Sequence, residues 1–268
     1  MRQTSDPGPG ASYFDMQGAI GVTKHTGGSI ATDELLDLCH IDSAHEVLDV
    51  GCGIGVGPVR IARTFGCRVV GVDLSEQMIQ WARLRARQEH VEGLIELRTA
   101  DVLDLPYPDD RFDIVMCESV LAFVDDKERA IQELRRVAKP NGYIGLNEGL
   151  WLRDPPPEMV ERVKQAIGPS VPSEQEWRGL WGDSGLGARV VRVCRVDPKV
   201  EVRSRISWVG WRWMLRAWGR ALMLFLRDSS IRQSIKQQFD VPLDVFEYAG
   251  YGLFVGRKPE RGNSSTEI

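Results

Sequence analysis

The chain is poor in the residues that most often announce a reaction. It holds five cysteines and four histidines in 268 residues. Cys39, Cys52, Cys67, Cys117 and Cys194 make no CxxC pair, and an odd number closes no disulfide framework. Reduced cytosolic thiols are the simplest reading, and no metal site is expected. The first twelve residues, rich in Pro, Gly and Ser, lack the apolar run of a signal peptide. They read as a disordered lead-in, and Pro259 to Ile268 as a disordered tail. A large charge excess is missing too: the net charge of −4 argues against a general nucleic-acid binder. No internal repeat or low-complexity core segment interrupts the chain.

What remains is the make-up of a globular protein, with 43% apolar and 27% charged residues. The length suits one large α/β domain, or a domain of about 150 residues with an elaboration. Short apolar runs alternate with helical periodicity. Strands are expected at Glu46 to Val50, Arg68 to Asp73, Leu94 to Arg98, Phe112 to Cys117 and Tyr143 to Asn147. Further strands are expected at Arg189 to Val196 and Tyr251 to Val255. Helices are expected from Ser29 or Thr32 through Leu38, from Pro58 to Phe65, after the cap Ser75, and after Asp126. Pro140-Asn141-Gly142 is expected to close the last of these. The alternation predicts βαβ units, hence a Rossmann-like seven-stranded, mostly parallel sheet with helices on both faces.

One turn carries most of the chemistry. Asp49-Val50-Gly51-Cys52-Gly53-Ile54-Gly55 follows the first strand with glycine at every second position. Residues without Cβ let a ligand lie against the backbone. The dinucleotide fingerprint G-x-G-x-x-G is absent: its sixth position falls on Val56 or on Pro58. The missing glycine disfavours a nicotinamide oxidoreductase and suits a ligand without phosphate, whose ammonium would meet Asp49. Asp73 ends the second strand 22 residues after Gly51, where an acid accepts bonds from ribose hydroxyls. Asp101 would accept from an adenine amino group, and Leu74 and Met78 would pack on adenine and ribose. Glu118, at the end of the fourth strand, is a further candidate for the ligand side of the pocket. Each residue has a plainer reading beside this one: generic turn, solvated cap or helix packing.

Together these residues resemble the class I S-adenosylmethionine-dependent methyltransferases, of the small-molecule, lipid- or quinone-type branch. The resemblance covers roughly Gly27 to Leu150. It rests on the turn Asp49 to Gly55, Asp73, the step Ala100-Asp101-Val102, Phe-Asp-Ile-Val-Met-Cys-Glu at 112–118 and Arg-Val-Ala-Lys-Pro-Asn-Gly at 136–142. It implies S-adenosyl-L-methionine as cofactor, lying across the carboxyl ends of the strands and held by Asp49, Gly51, Gly53, Gly55, Asp73, Leu74, Met78, Asp101, Val102 and Glu118. It also implies an N-terminal flap in which Tyr13, His25 and Thr26 touch the methionine end. Relatives that carry a histidine just after the fourth strand differ here, since Glu118 to Phe123 contains none. That argues against a phosphoethanolamine-type mechanism.

Methyl transfer needs alignment and exclusion of water more than acid–base help. Where a base is required, His25 and Glu148 are the catalytic candidates.

From Lys199 to Arg227 the composition changes: seven Lys or Arg face one acid, Glu201, and four of the eight tryptophans fall here. Arg212, Arg216 and Arg220 form one helical stripe, while Trp211, Leu215, Trp218, Leu222 and Phe225 form an apolar face. Three arginines, at roughly 2.5–3.5 kcal/mol each, disfavour a membrane span. An interfacial helix, a lid over an apolar acceptor and plain packing (a homodimer contact included) stay open.

The expected organisation is a flap at 1–28, an S-adenosylmethionine-binding domain at 29–198, a helical insertion at 199–248, the last strand at 249–258 and a tail at 259–268. The expected function is methyl transfer to a small, hydrophobic, lipid- or quinone-like acceptor. The setting is cytoplasmic, with peripheral contact to the inner membrane face through 206–226 left open and no nucleic-acid partner. A methyltransferase for a polar metabolite and a non-catalytic S-adenosylmethionine-binding protein are the alternatives.

Overall fold

A computed structural model describes residues 13–23, 25–168, 171–239 and 243–260. The lead-in expected at 1–12 and the tail beyond residue 260 lie outside them. Seven strands form one sheet: β1 (Glu46–Val50), β2 (Arg68–Asp73), β3 (Ile95–Thr99), β4 (Phe112–Glu118), β5 (Ala138–Trp151), β6 (Gly187–Arg195) and β7 (Ala249–Arg257). Among the described residues ten α-helices accompany them: α1 (Tyr13–Ile20), α2 (Gly28–Leu38), α3 (Val56–Phe65), α4 (Glu76–Gln88), α5 (Lys127–Val137), α6 (Pro157–Ile167), α7 (Glu174–Gly182), α8 (Pro198–Val209), α9 (Trp211–Arg227) and α10 (Ser229–Phe239).

The sheet order is β3-β2-β1-β4-β5-β7-β6. The first five strands are parallel, and β7 runs antiparallel to both β5 and β6. Strand order reverses between β1 and β4, so a crevice opens beyond their carboxyl ends. Period-two alternation divides the core into two layers. Leu48, Val70, Val115 and Cys117 face α5 and α7, where Ile131, Leu134, Trp177 and Trp181 meet them. Val47, Val69, Ile114 and Met116 face α2 and α3 through Leu35, Leu36, Ile61 and Ala62.

The helix starts follow local chemistry. Ser75 accepts the amide of Met78 at the head of α4, and Asp126 accepts that of Arg129 at the head of α5. Gly66 closes α3 in the left-handed region, at φ 69°.

Three expectations change. The helix α5 stops at Val137, and Pro140-Asn141-Gly142 lies inside the β5 span, where Asn141 takes φ 65°. The strand β5 extends from the expected 143–147 to 138–151: its partner β7 carries it on to Trp151, and the pairing of Ala138 with Phe112 of β4 sets its start. The basic, tryptophan-rich stretch is two helices broken at Gly210, where φ is 91°. Among the described residues no helix is long and apolar enough to cross a membrane.

Candidate active site

The crevice at the strand reversal holds a cavity of about 460 Å³, within the range of small-ligand sites. Its floor is the turn after β1. Gly51 and Gly53 line it with positive φ of 76° and 52°. A Cβ on Gly51 would stand 2.1 Å from Val120 Cγ2, and one on Gly53 would stand 2.7 Å from Thr23 Oγ1. Only glycine leaves both the backbone conformation and the space free.

Asp73 stands at the end of β2 with its carboxylate fixed from both sides. Oδ2 accepts the amide of Gly53 at 2.9 Å, and Oδ1 accepts that of Ser75 at 2.9 Å. Burial nonetheless raises its pKa above the usual carboxylate range. Leu74, Met78, Asp101 and Val102 complete this end of the cavity. Asp101 Oδ1 accepts the amide of Leu103, so its plainer role as a turn residue is also present.

Glu118 and Ser119 lie at the end of β4. Thr32 Oγ1 lies 3.1 and 2.8 Å from the two Glu118 oxygens, and Asn147 Nδ2 donates to Oε2 at 3.0 Å. Ser119, at φ 56°, accepts the Thr26 amide on its Oγ. Asn147 Nδ2 also donates to the Thr26 carbonyl. These bonds stitch the connection between α1 and α2 onto the ends of β4 and β5.

The far end is aromatic. Tyr13, Phe14 and Phe123 pack together with centroids 4.7 to 6.2 Å apart, beside Val120 and Val124. This end is roofed by α1, whose opposite side packs on α9 through Met16, Ile20 and Ala217.

Nine expected residues therefore meet around one cavity: Tyr13, Gly51, Gly53, Asp73, Leu74, Met78, Asp101, Val102 and Glu118. Five do not line it. A Cβ on Gly55 would meet Ala82 Cα at 2.8 Å, so this glycine lets α3 approach α4 and faces no ligand. Asp49 lies beneath the start of α3, its Oδ2 2.5 Å from where a Gly57 Cβ would stand. Burial first, then the charges of Glu118 and Asp73, push its pKa up to about 8. Thr26 is held by its backbone behind Ser119. His25 sits behind Glu118, Nδ1 3.6 Å from Oε2, with its ring 5.0 Å from that of Trp208.

Glu148 departs furthest from the catalytic reading. Its carboxylate is fully buried and accepts three backbone amides, those of Val120, Leu121 and Ala122. Through these three bonds it holds the short 3-10 turn Leu121–Phe123 in place. Burial outweighs the three donors and leaves its pKa at about 7.

Residues the sequence did not point to include Phe14, Gln17, Thr23, Ser119, Val120, Phe123 and Val124. Phe14 and Ser119 directly follow the expected Tyr13 and Glu118 but carry no chemical reason legible from the sequence. The thiols of Cys39, Cys52 and Cys117 are buried, and desolvation raises their pKa, that of Cys39 to about 12. They stay protonated and inert. Among the described residues no cluster of three or more His, Cys, Asp or Glu could hold a metal ion.

The arrangement suits a nucleoside-bearing cation. Bare glycine backbone and a fixed acid can take a ribose, and the carboxylates of Asp73 and Glu118 gather negative charge where a phosphate would be repelled. Comparison with known proteins agrees. Residues 48–146 match the family model described as a methyltransferase domain. The 27-O-demethylrifamycin SV methyltransferase of Amycolatopsis mediterranei is 27% identical over 261 residues, covering 92% of this chain and 89% of that one. Phosphoethanolamine N-methyltransferase 3 of Arabidopsis thaliana is 30% identical over 184 residues, covering 67% of this chain and 36% of that protein. In fold, the crystal structure of the [4+2]-cyclase SpnF matches with a TM-score of 0.70 at 20% identity, covering 91% of each chain. On the glycine turn, the strand order and these matches, the chain belongs to the class I S-adenosylmethionine-dependent methyltransferases and is an enzyme of that family, with S-adenosylmethionine as its cofactor.

Proposed function

We propose that the enzyme methylates a small hydrophobic acceptor bound at the aromatic end of the cavity. The packing of Tyr13, Phe14 and Phe123 beside Val120 and Val124 carries this reading. An apolar molecule gains by leaving water for such a wall, at roughly 25 cal/mol per Å². In this reading Asp73 takes the ribose, Leu74, Met78 and Val102 flank the adenine, Asp101 meets its amino group, and Gly51, Gly53 and Glu118 face the methionine part. The bound cofactor supplies a methyl group on an already activated sulfonium, for in-line displacement.

The protein's task is alignment. Glu148 fixes the turn that carries Val120 and Phe123, and α1 closes over both ligands and excludes water. Neither Glu148 nor His25 is assigned a proton-transfer step, because neither lines the cavity. Glu148 is a positioning residue.

Incubation with methyl-labelled cofactor and either a lipid and quinone extract or a pool of polar metabolites tests the acceptor class. Label is expected in the organic-soluble fraction, and Phe123→Ala is expected to raise KM for that acceptor with little change in cofactor affinity. Label confined to polar products would sink the hydrophobic assignment. Calorimetry with S-adenosylhomocysteine tests the ribose contact separately: Asp73→Ala is expected to weaken binding by about 100-fold, two hydrogen bonds to a charged group being lost.

A further inference from the structure

The helix α9 buries one side and leaves another, equally apolar side bare. Trp213, Met214 and Ala217 are buried against the protein. Trp211, Leu215, Trp218, Leu222 and Leu226 are between 53% and 67% exposed, and Met223 is 45% exposed beside them. Their spacing of four, three, four and four residues keeps them on one line, about 22 Å long at 1.5 Å per residue. Soluble surfaces seldom show such a continuous apolar line without a partner.

The charges beside this line have one sign. Within Trp211–Arg227 the exposed ionisable residues are Arg212, Arg216 and Arg227, with no acid among them, while Arg220 turns inward onto α1. At the amino end of α9, Arg60, Arg63 and Arg85 line a cleft with Trp208, Val209 and Gly210, Arg60 being paired with Asp33 and Arg63 with Glu89. A second copy of the chain meeting this face symmetrically would bring these arginines against their own counterparts, with no carboxylate on the helix to answer them. An anionic lipid surface answers both features, since its headgroups pair with guanidinium and its interface accepts tryptophan and leucine.

We propose that the outer face of α9 is an anchor for an anionic lipid surface. The anchor stands on this helix face and its charges, and goes beyond the acceptor chemistry proposed above. Its place in the fold gives it a use. The buried side of α9 holds α1 through Trp213 Nε1, which donates to the Gly21 carbonyl at 2.7 Å, and Arg220 Nε, which donates to that of Ile20 at 2.6 Å. A helix seated on the lipid surface thereby holds the cavity roof next to it.

Co-sedimentation of the full chain with two vesicle types tests the anchor: phosphatidylcholine alone, and equal parts phosphatidylcholine and phosphatidylglycerol. Binding is expected to the mixed vesicles and to fall with added salt. Arg212→Glu/Arg216→Glu is expected to weaken it at least about tenfold, and Leu215→Glu/Trp218→Glu to abolish it. These side chains are exposed, and unchanged S-adenosylhomocysteine binding in the same variants would show that the fold and the cofactor site are intact. Tryptophan emission should shift to the blue on the mixed vesicles, and Trp211→Phe/Trp218→Phe should lose that shift. The anchor is refuted if the wild type stays in solution with the mixed vesicles, or if Leu215→Glu/Trp218→Glu still sediments. A dimer in velocity sedimentation that this same variant dissolves, without vesicle binding, would make a second copy the occupant.

Discussion

Asp49 keeps its proton up to about pH 8 because burial, and then the neighbouring charges of Glu118 and Asp73, disfavour its carboxylate. Its folded pKa lies above its unfolded value of 3.8. The stability it contributes is therefore complete below about pH 4 and is lost as pH rises through about 8. A cation bound nearby reverses the preference and expels the proton. Cofactor affinity is accordingly expected to rise as pH increases from about 6 toward 8, by up to about tenfold per unit, and then to level off. Calorimetry across buffers of different ionisation enthalpy reads the released proton directly. Asp49→Asn should remove both the slope and the proton release; a slope that survives the substitution would mean that another group titrates. At this scale the sequence was readable where a residue acts on its own neighbours. Asp73 and the glycines Gly51 and Gly53 declared themselves through spacing. Glu148 did not, because its three amide partners lie 26 to 28 residues away and only the pairing of β4 with β5 brings them together.

Among elements, the short turn Leu121–Phe123 depends on one side chain. Glu148→Ala would leave three amide donors, two of them buried, without an acceptor. At about 1–3 kcal/mol for each buried group, the cost is roughly 2–6 kcal/mol. For a chain of this size that lowers Tm by about 2–4 °C per kcal/mol. Glu148→Gln, which keeps an accepting oxygen, should recover part of the loss. Restoration of Tm without restoration of acceptor KM would separate the shape of the turn from mere stability. Elements framed by local signals were legible: the caps at Ser75 and Asp126 and the end of α3 at Phe65 stand where the sequence put them. The length of β5 was not, because its antiparallel partner β7 arrives more than a hundred residues later. Nor could periodicity say which side of α9 faces inward. The helix is apolar on two sides, and the inner one is chosen by Gly21, Ile20 and Met16, which belong to the far end of the chain.

For the whole molecule, the cavity is a shared product of the amino-terminal helix and the late helices. Trp81 Nε1 donates to the Gly18 carbonyl, and Trp213 Nε1 to that of Gly21, so α1 is pinned from α4 and α9 together. Trp213→Phe keeps most of the ring's packing and removes one hydrogen bond, worth about 1 kcal/mol. S-adenosylhomocysteine should then dissociate several times faster in stopped-flow measurements, while its association rate changes little. An unchanged dissociation rate would show that α1 does not gate release.

The strands β6 and β7 give this architecture one further property. Arg195 leaves the sheet directly opposite Gly250, where the chain returns. The chain between β6 and β7 is thus an excursion whose two ends are already neighbours. Doubling its length would cost only about 0.6 kcal/mol in closure entropy, and no strand would have to change register. Heritable variation can therefore lengthen or redraw the outer surface of this cassette, and with it what the enzyme meets outside, so long as Trp213 and Arg220 keep their hold on α1.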